Sequence, residues 1–333
     1  MKIFITGVAG FLGSHLADLM ISEGHTVAGN DNMIGGYTDN VPQNVEFYQI
    51  DCCDLENMTK AMQGCDIVYH TAATAYEGLS VFSPVLVTRN IFEASVTTIT
   101  AAIRNKVKRI VYCSSMARYG HHDEMPYKET YECRPQDPYG IAKKAGEDVL
   151  KNLCETHGVE YVIAVPHNIV GPRQKYDDPF RNVMSIMLNR MLQGKQPIIY
   201  GDGEQQRCFS YIDDCLYCLN ALAFQDNVVG EVINIGPDEE PITINKLAEA
   251  CANETGLNLD PIHHRDRPKE VKLAVCSSDK ARDLLGYKTA TNMRQSVKKT
   301  AEYIRTRGTK KFQYHLPLEI INEHTPDTCL LYT

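Results

Sequence analysis

The sequence lacks the features that mark nucleic-acid-binding and membrane-spanning proteins. Its 333 residues carry a formal net charge of −8 and contain no basic run, so electrostatics gives no reason to expect nucleic acid or an anionic membrane as a partner. No apolar run approaches the length that a bilayer requires. A β-rich run occupies residues 2–6, which leads us to expect no signal peptide and a cytoplasmic location.

Organised metal and disulfide patterns are also missing. The twelve cysteines are scattered through a long chain, a distribution typical of reduced cytosolic thiols. Cys215 and Cys218 lie within an apolar helical pattern over residues 213–224 with no second pair nearby, so we interpret them as core residues. The histidine pairs at 121–122 and 263–264 lack metal-ligand spacing, and we predict that they lie in loops and that no metal is bound.

The N-terminal segment has the pattern of a dinucleotide-binding site. The run at 2–6 is followed by Gly7, Gly10 and Gly13 and then by an apolar periodic stretch. Strand, glycine loop and helix in this order bring backbone N–H groups and a helix N-terminus against a pyrophosphate. Glycines are common in turns for steric reasons, so the triplet gains its meaning from the strand and the helix that flank it.

A second strand is predicted at residues 26–30, and Asp31 follows it directly. A carboxylate at this place can accept hydrogen bonds from both ribose hydroxyls and repels a 2′-phosphate. The sequence therefore predicts NAD rather than NADP as the cofactor. Asn32, judged by residue type alone, is a turn former.

Strand and helix patterns then alternate. This alternation predicts an α/β protein with a doubly wound parallel sheet and the cofactor at the carboxyl ends of its strands. The further predicted strands are 45–50, 66–70, 107–114, 161–165 and 231–235, and the predicted helices are 55–62, 84–105, 138–157 and 180–192.

Three side chains form a candidate reaction centre. Tyr139 and Lys143 lie four residues apart on the predicted helix 138–157, so the phenol and the ammonium project from one face. A nearby cation and the positive end of the helix dipole favour the phenolate, which can then take a proton from an alcohol that loses a hydride. Ser115, after a predicted strand, is placed to hold the same alcohol oxygen.

The composition changes near Pro166, after which prolines and glycines cluster. We predict an NAD-binding domain at residues 1–166 and a substrate lobe at 167–312, with a crossover back to the first domain near 205–236. Residues 313–333 form a tail without clear periodicity, either docked late or mobile.

In this order the motifs resemble those of extended short-chain dehydrogenases/reductases of the NAD-dependent nucleotide-sugar epimerase/dehydratase group. The resemblance runs from Met1 to about residue 305 and implies a Rossmann-type fold, in which Asp51 contacts the adenine edge and Ser115, Tyr139 and Lys143 are catalytic. It is carried by Gly7, Gly10, Gly13, Asp31, Asp51, His70, Thr71, Ala72, Ala73, Asn90, the run 114–120, Tyr139, Lys143, Asn168, the run 171–173, the run 200–207, Arg267 and Pro268. The further cofactor contacts that it implies are Phe11, Leu12, Asn32, Cys52, Thr71, Ala72, Ala73 and Asn90.

The resemblance also implies a nucleotide-sugar substrate, with Arg207 and Arg267 as guanidinium partners of the diphosphate. The other implied substrate contacts are Ser115, Met116, Asn168, Val183 and Tyr200. Two positions depart from the family pattern. Cys208 stands where the family often has Asp, and Val165 stands where it often has Arg.

For the reaction, the sequence favours 4-epimerisation of a nucleoside-diphosphate sugar. The base stays open between uracil, guanine and thymine, and the resemblance favours a UDP-sugar. In 4,6-dehydratases of this group an Asp-Glu pair follows the catalytic Ser/Thr, whereas this chain has Met116 and Ala117, which cannot transfer protons. Glu77 and His122 could supply acid–base groups from loops, so dehydration and other 4-keto chemistry stay open. A non-catalytic NAD sensor is the alternative of another class.

We further predict a homodimer. The predicted helices 84–105 and 138–157 carry more apolar surface than one sheet face needs, including Ile91, Phe92, Val149, Leu150 and Leu153. The resemblance implies that these two helices pair with their copies in a four-helix bundle.

Overall fold

A seven-stranded parallel sheet is the centre of the protein. A computed structural model describes residues 1–180, 182–266, 271–313 and 316–326. The sheet has the order β7-β6-β5-β4-β1-β2-β3, with all strands parallel. The strands are β1 (Lys2–Thr6), β2 (Thr26–Asn30), β3 (Val45–Tyr48), β4 (Ile67–His70), β5 (Arg109–Cys113), β6 (Glu160–Pro166) and β7 (Val232–Ile235). The predicted doubly wound Rossmann-type fold is confirmed.

Helices cover both faces of this sheet. On one face of the sheet pack α1 (Phe11–Ser22), α7 (Ile212–Phe224) and α9 (Asp279–Leu285). On the other face pack α2 (Leu55–Ala61), α4 (Ala94–Arg104) and α5 (Pro138–His157). Strands buried on both faces are nearly continuously apolar, which explains why runs such as that of β5 are entirely buried. Cys215 and Cys218 are fully buried in the first of these layers, as expected of core residues.

A smaller lobe follows β6. Its core lies among α6 (Val183–Met191), α8 (Ile244–Thr255) and α10 (Met293–Arg307). Its short strands are Ile169–Val170, Ile198–Tyr200, Gln206–Arg207, Ser210–Tyr211, Ile242–Thr243, Ile262–His264 and Leu273–Ala274. Between these elements the chain returns to the large sheet through α7 and β7, where β7 pairs with β6.

The helix predicted over residues 84–105 is not a single regular helix. It consists of α3 (Pro84–Thr88), a π-helical segment (Arg89–Glu93) and α4. Asn90 lies in the π-helical segment and donates from Nδ2 to Thr74 Oγ1 at 3.0 Å. A π-helical turn shifts the register of the following helix by a fraction of a turn, a local change that hydrophobic periodicity does not reveal.

The helix predicted over residues 180–192 begins later than expected, at Val183. Asn182 is its N-cap, because the Asn182 side chain accepts a hydrogen bond from the backbone of Met184 at 3.1 Å. In contrast, α5 has the predicted bounds. Asp137 accepts from the backbone N–H of Gly140 at 3.0 Å, and Gly158 closes the helix in the left-handed conformation.

Among the described residues, no helix combines the length and the apolar character needed to cross a membrane.

Candidate active site

One cleft of about 840 Å³ lies between the carboxyl ends of the sheet strands and the smaller lobe. Arg267 lies outside the described residues. The other predicted site residues all line this cleft, namely Gly7, Gly10, Phe11, Leu12, Gly13, Asp31, Asn32, Asp51, Cys52, Thr71, Ala72, Ala73, Asn90, Ser115, Met116, Tyr139, Lys143, Asn168, Val183, Tyr200 and Arg207.

The glycine loop lies close to the backbone that follows β4, a neighbour of β1 in the sheet. Gly7 has φ +71°, and a Cβ there would lie 2.9 Å from the Cα of Ala72. A Cβ at Gly13 would overlap the carbonyl oxygen of Gly7. Any other residue at these two positions would open the turn, so the glycines keep backbone N–H groups and the start of α1 at the cleft. This cradle fits a pyrophosphate.

Asp31 is held by the backbone around the same loop. Its Oδ2 accepts from the N–H of Ala9 at 3.1 Å and its Oδ1 from the N–H of Met33 at 2.7 Å. Both bonds fix the carboxylate beside the glycine loop, and Asp31 lines the cleft. The arrangement suits a ribose with two hydroxyls.

Asp51 has three further partners at the neighbouring edge. It accepts from the backbone N–H of Cys53 at 2.8 Å, from Asn32 Nδ2 at 3.3 Å and from Arg89 NH1 at 3.2 Å. Partial burial opposes ionisation, yet these donors and the guanidinium hold the pKa of Asp51 below its usual value. Asn32 therefore orients Asp51 in addition to forming a turn.

The predicted catalytic pair lies in the first turns of α5. Tyr139 and Lys143 are 7% and 2% exposed. The Nζ of Lys143 donates to the backbone oxygen of Cys113 at 2.8 Å, and burial lowers the pKa of Lys143 to about 8. The helix thus presents a phenol and a buried amine to the cleft beside Ser115.

Behind Tyr139 and Lys143, a buried ion pair joins α5 to residues 114–118, which carry Ser115 and which we term the serine loop. Glu147 and Arg118 form a contact of 2.9 Å with side chains 0% and 4% exposed, and the hydroxyl of Ser114 donates to Glu147. Since Ser114 precedes Ser115 and Arg118 follows it, the pair holds both ends of the serine loop against the helix that carries Tyr139.

A buried network of hydrogen bonds joins β1, β4 and α4. His70 contacts Thr6 Oγ1 through Nδ1 at 2.9 Å and Ser95 Oγ through Nε2 at 3.1 Å. Burial lowers the pKa of His70 to about 3, so the imidazole is neutral. Thr6 Oγ1 also accepts from the backbone of Ala72 at 3.1 Å. This network holds in place the backbone of Ala72, which the glycine loop approaches.

The smaller lobe supplies four of the predicted substrate residues, Asn168, Val183, Tyr200 and Arg207, which line the cleft. Asn168 adopts φ +44° and donates from Nδ2 to the backbone oxygen of Cys208 at 3.0 Å. Arg207 donates from NH1 to the backbone oxygen of Gln206 at 2.8 Å. Cys208 and Val165, which depart from the family pattern, are fully buried.

The acid–base candidates differ in position. Met116 and Ala117, which stand in place of the Asp-Glu pair of the dehydratases, both line the cleft. Glu77 also lines the cleft. His122 is not among the lining residues, and its Nε2 contacts the backbone oxygen of Glu132 at 2.8 Å.

Several cleft residues were missed by sequence reasoning. Lys175 was not singled out, and four residues come from the chain beyond α10, where no periodicity gave a signal. These four are Phe312, Ile320, Asn322 and His324.

The glycine cradle, the Asp31 carboxylate and the buried Tyr139/Lys143 pair at strand ends define the class: an NAD-dependent Rossmann-type enzyme of the short-chain dehydrogenase/reductase type. The profile of the NAD dependent epimerase/dehydratase family matches residues 3–236. The chain belongs to this family. NAD is its cofactor, and the interpretation as an enzyme is confirmed.

Individual relatives have the same general chemistry. A putative UDP-glucose 4-epimerase of Methanocaldococcus jannaschii is 31% identical, with 91% of this chain and 98% of that protein covered. The solved UDP-glucose 4-epimerase of Thermotoga maritima with UDP-glucose is 31% identical at a TM-score of 0.87, covering 92% of this chain and 99% of that one. A UDP-N-acetyl-alpha-D-glucosaminuronate decarboxylase of Bacillus cytotoxicus is 31% identical, with 74% of this chain and 78% of that protein covered. The chemistry of this chain is therefore that of the nucleotide-sugar epimerases/dehydratases.

Proposed function

We propose that this protein inverts C4 of a nucleoside-diphosphate sugar, with a UDP-sugar as substrate, through a transient 4-keto sugar. One observation carries the proposal: Ser115, Tyr139 and Lys143 line one cleft together with Met116, which cannot transfer protons. Ser115, Tyr139 and Lys143 can remove the proton of a hydroxyl while the carbon that carries it loses a hydride to NAD. The two positions that would supply proton transfer for dehydration hold Met116 and Ala117 instead.

In this proposal each side chain has one task. Tyr139 takes the proton of the C4 hydroxyl and later returns one to the C4 oxygen. The protonated Lys143 stabilises the charge that forms on the phenol. Ser115 donates a hydrogen bond to the sugar oxygen. When bound, NAD supplies the hydride acceptor and donor for C4. The hydride and the proton both return, so the atoms balance with no net consumption of NAD.

The nucleotide is proposed to bind in the smaller lobe. Val183 at the start of α6, Tyr200 and Arg207 line the part of the cleft that the lobe contributes. Arg207 is proposed to contact the diphosphate, since a guanidinium can bind two phosphate oxygens at once. Arg267, which lies outside the described residues, is proposed for the same task.

Dehydration or another 4-oxidation chemistry is the second candidate. Glu77 favours it, because this carboxyl group lines the cleft and lies on the loop after β4. A proton-transfer group at this place could act on a carbon next to the 4-keto carbon.

A substrate deuterated at C4 separates the two candidates. Under epimerisation, the product keeps the deuterium at C4 and no water is lost, as read by NMR and mass spectrometry. Tyr139→Phe should abolish conversion while leaving bound NAD in place. Label at C6, or a stable 4-keto-6-deoxy product, would establish the dehydratase chemistry instead.

We also propose a homodimer through the segment 84–105, which includes α3 and α4, and through α5. Two of the five side chains predicted to face the partner do not do so: Ile91 and Leu150 are 1% and 0% exposed and pack within this chain. Phe92, Val149 and Leu153 are partly exposed. Val85 on α3 and Ile141 on α5 are 72% and 54% exposed, and burying such side chains against a second copy is favourable.

A further inference from the structure

The chain beyond α10 is docked on the rim of the cleft. Backbone N–H groups of Glu319 and Ile320 donate to the oxygen of Phe82 at 2.9 and 3.0 Å. The carboxylate of Glu319 accepts from the N–H groups of Val85 and Leu86 at 2.8 and 2.9 Å. A carboxylate at the first turn of a helix satisfies unpaired donors and the positive end of the dipole.

Apolar and local contacts complete this docking. Leu316 is 4% exposed and packs in one cluster with Tyr76, Leu79 and Phe82. Further along, Thr325 is 1% exposed, and its Oγ1 accepts from the N–H of Asn322 at 3.0 Å. The segment 316–326, which we term the C-terminal wall, is therefore anchored at Leu316, Glu319 and Thr325, whereas Ile320, Asn322 and His324 are exposed at the rim of the cleft.

The C-terminal wall lies at the catalytic end of the cleft. It packs on the loop after β4, and Ser80 of this loop donates to Asp137 Oδ1 at 3.2 Å. Asp137 caps α5 two residues before Tyr139. The nucleotide residues of the smaller lobe lie on other elements. Ile320, Asn322 and His324 line the same cleft as Ser115 and Tyr139, beside which the sugar is proposed to lie.

The relatives lack an equivalent length of chain. The Methanocaldococcus and Thermotoga proteins are covered at 98% and 99%, but they match only 91% and 92% of this chain. The segment 316–326 lies beyond residues 3–236, which the family profile matches. A segment outside the matched residues that lines the cleft is in a position to add selection among sugars to the shared chemistry.

We propose that the C-terminal wall determines sugar specificity, with Asn322 and His324 as its recognition groups for a neutral substituent such as a hydroxyl or an acetamido group. The Asn322 amide oxygen accepts from the backbone N–H of His324 at 2.9 Å, so its amide nitrogen is the donor proposed for the sugar. The His324 imidazole, whose Nε2 lies 3.7 Å from the Glu323 carboxylate, can donate or accept, and Ile320 gives the same wall an apolar surface. The described wall residues that line the cleft, Ile320, Asn322 and His324, include no lysine or arginine, and the cleft-lining Lys175 pairs with Asp177 at 3.4 Å. This inference rests on the proposed nucleotide-sugar substrate.

The test uses the full-length protein with NAD and three probes: UDP-glucose, UDP-N-acetylglucosamine and UDP-glucuronate. Asn322→Ala should lower kcat/KM about fivefold or more on the preferred neutral sugar, as loss of a hydrogen bond predicts. The effect on UDP-glucuronate should be smaller. The inhibition constant of UDP should stay within about twofold, because UDP lacks the sugar.

Ile321→Ala is the matched control, since Ile321 is on the same segment and 65% exposed but does not line the cleft. Its kinetics should equal those of the unmodified protein. If Asn322→Ala and His324→Ala both leave every kcat/KM within about twofold, or if they change UDP inhibition as much as sugar turnover, the specificity role is wrong.

Hydrogen exchange at residues 316–326 tests the wall without activity. Sugar nucleotides should slow exchange there more than UDP alone. If the unmodified protein converts none of the three probes, the proposed function fails, and slower exchange with a sugar nucleotide still supports the wall. Equal exchange with UDP and with every sugar nucleotide overturns the wall in either case.

Discussion

The ammonium of Lys143 donates a hydrogen bond of 2.8 Å to the backbone oxygen of Cys113. Cys113 is the last residue of β5, and the serine loop begins directly after it. The bond therefore ties the helix that carries Tyr139 to the strand end that positions Ser115. It also draws the ammonium out of water, which costs free energy in the charged form.

This burial predicts a pH dependence of stability. The pKa of Lys143 is about 8 in the folded protein and 10.5 in its ordinary environment. Between these values the unfolded chain binds more protons, so the contribution of Lys143 to the free energy of unfolding rises with pH from about 8 to 10.5. Denaturation of NAD-free protein should show this rise relative to Lys143→Met. Parallel pH curves for the two proteins would show that Lys143 has an ordinary pKa.

Asp31 is expected to decide between NAD and NADP. Asp31→Ala should weaken NAD binding and relax the discrimination against NADP, because the ribose acceptor and the negative charge disappear together. Asp31→Asn keeps a side-chain acceptor and removes only the charge. Calorimetric titration with both dinucleotides separates the two effects. An unmodified protein that prefers NADP by a wide margin would refute this role.

Arg207 is expected to contribute to transition-state binding through the diphosphate. Arg207→Ala should lower kcat/KM. The corresponding loss of transition-state stabilisation should be about 1.5–3 kcal/mol, the usual range for a hydrogen bond to a charged group. Arg104→Ala is a control, since Arg104 is a surface residue paired with Glu56 at 3.2 Å. The same loss is expected for Arg267→Ala. Unchanged kinetics in both site variants would remove the diphosphate contact from the proposal.

The buried ion pair of Glu147 and Arg118 predicts a non-additive effect on stability. Glu147→Leu leaves a guanidinium buried without its carboxylate, which should cost about 3–5 kcal/mol of unfolding free energy. Adding Arg118→Met to this variant should restore a large part of that loss, because the unpaired charge is gone. Urea denaturation measures the unfolding free energy of Glu147→Leu, of Arg118→Met and of the double variant. A double variant as unstable as the sum of the singles would show that the two charges are not coupled.

The dimer proposal is tested at the exposed apolar residues of α3 and α5. Ile141→Asp should convert a dimer to a monomer, because a charge would be desolvated at the interface. Val229→Asp is a control on a partly exposed apolar residue of another surface, at 39% exposure. Light scattering at micromolar concentration reads both. An unmodified protein that is monomeric at this concentration would refute the dimer.

The sequence by itself determined the sheet and the cofactor, and it predicted a set of reacting residues that all line one cleft. Each depends on short-range pattern: strand and helix periods, a glycine loop between them, and the four-residue spacing of Tyr139 and Lys143 on one helix face. All seven strands of the sheet coincide with predicted runs to within a few residues. Such patterns constrain local structure directly, and parallel strands bring their carboxyl ends together.

Only the tertiary structure decided which apolar side chains remain at the surface and where the tail lies. Leu150 and Ile141 are both apolar residues of α5, yet one is buried and the other is exposed, since the packing of the neighbouring elements covers only one of them. The Glu319 carboxylate joins residues 234 positions apart in the chain. Contacts over such distances in sequence have no periodic signature, because they depend on surfaces that exist only after the sheet and its helices have packed.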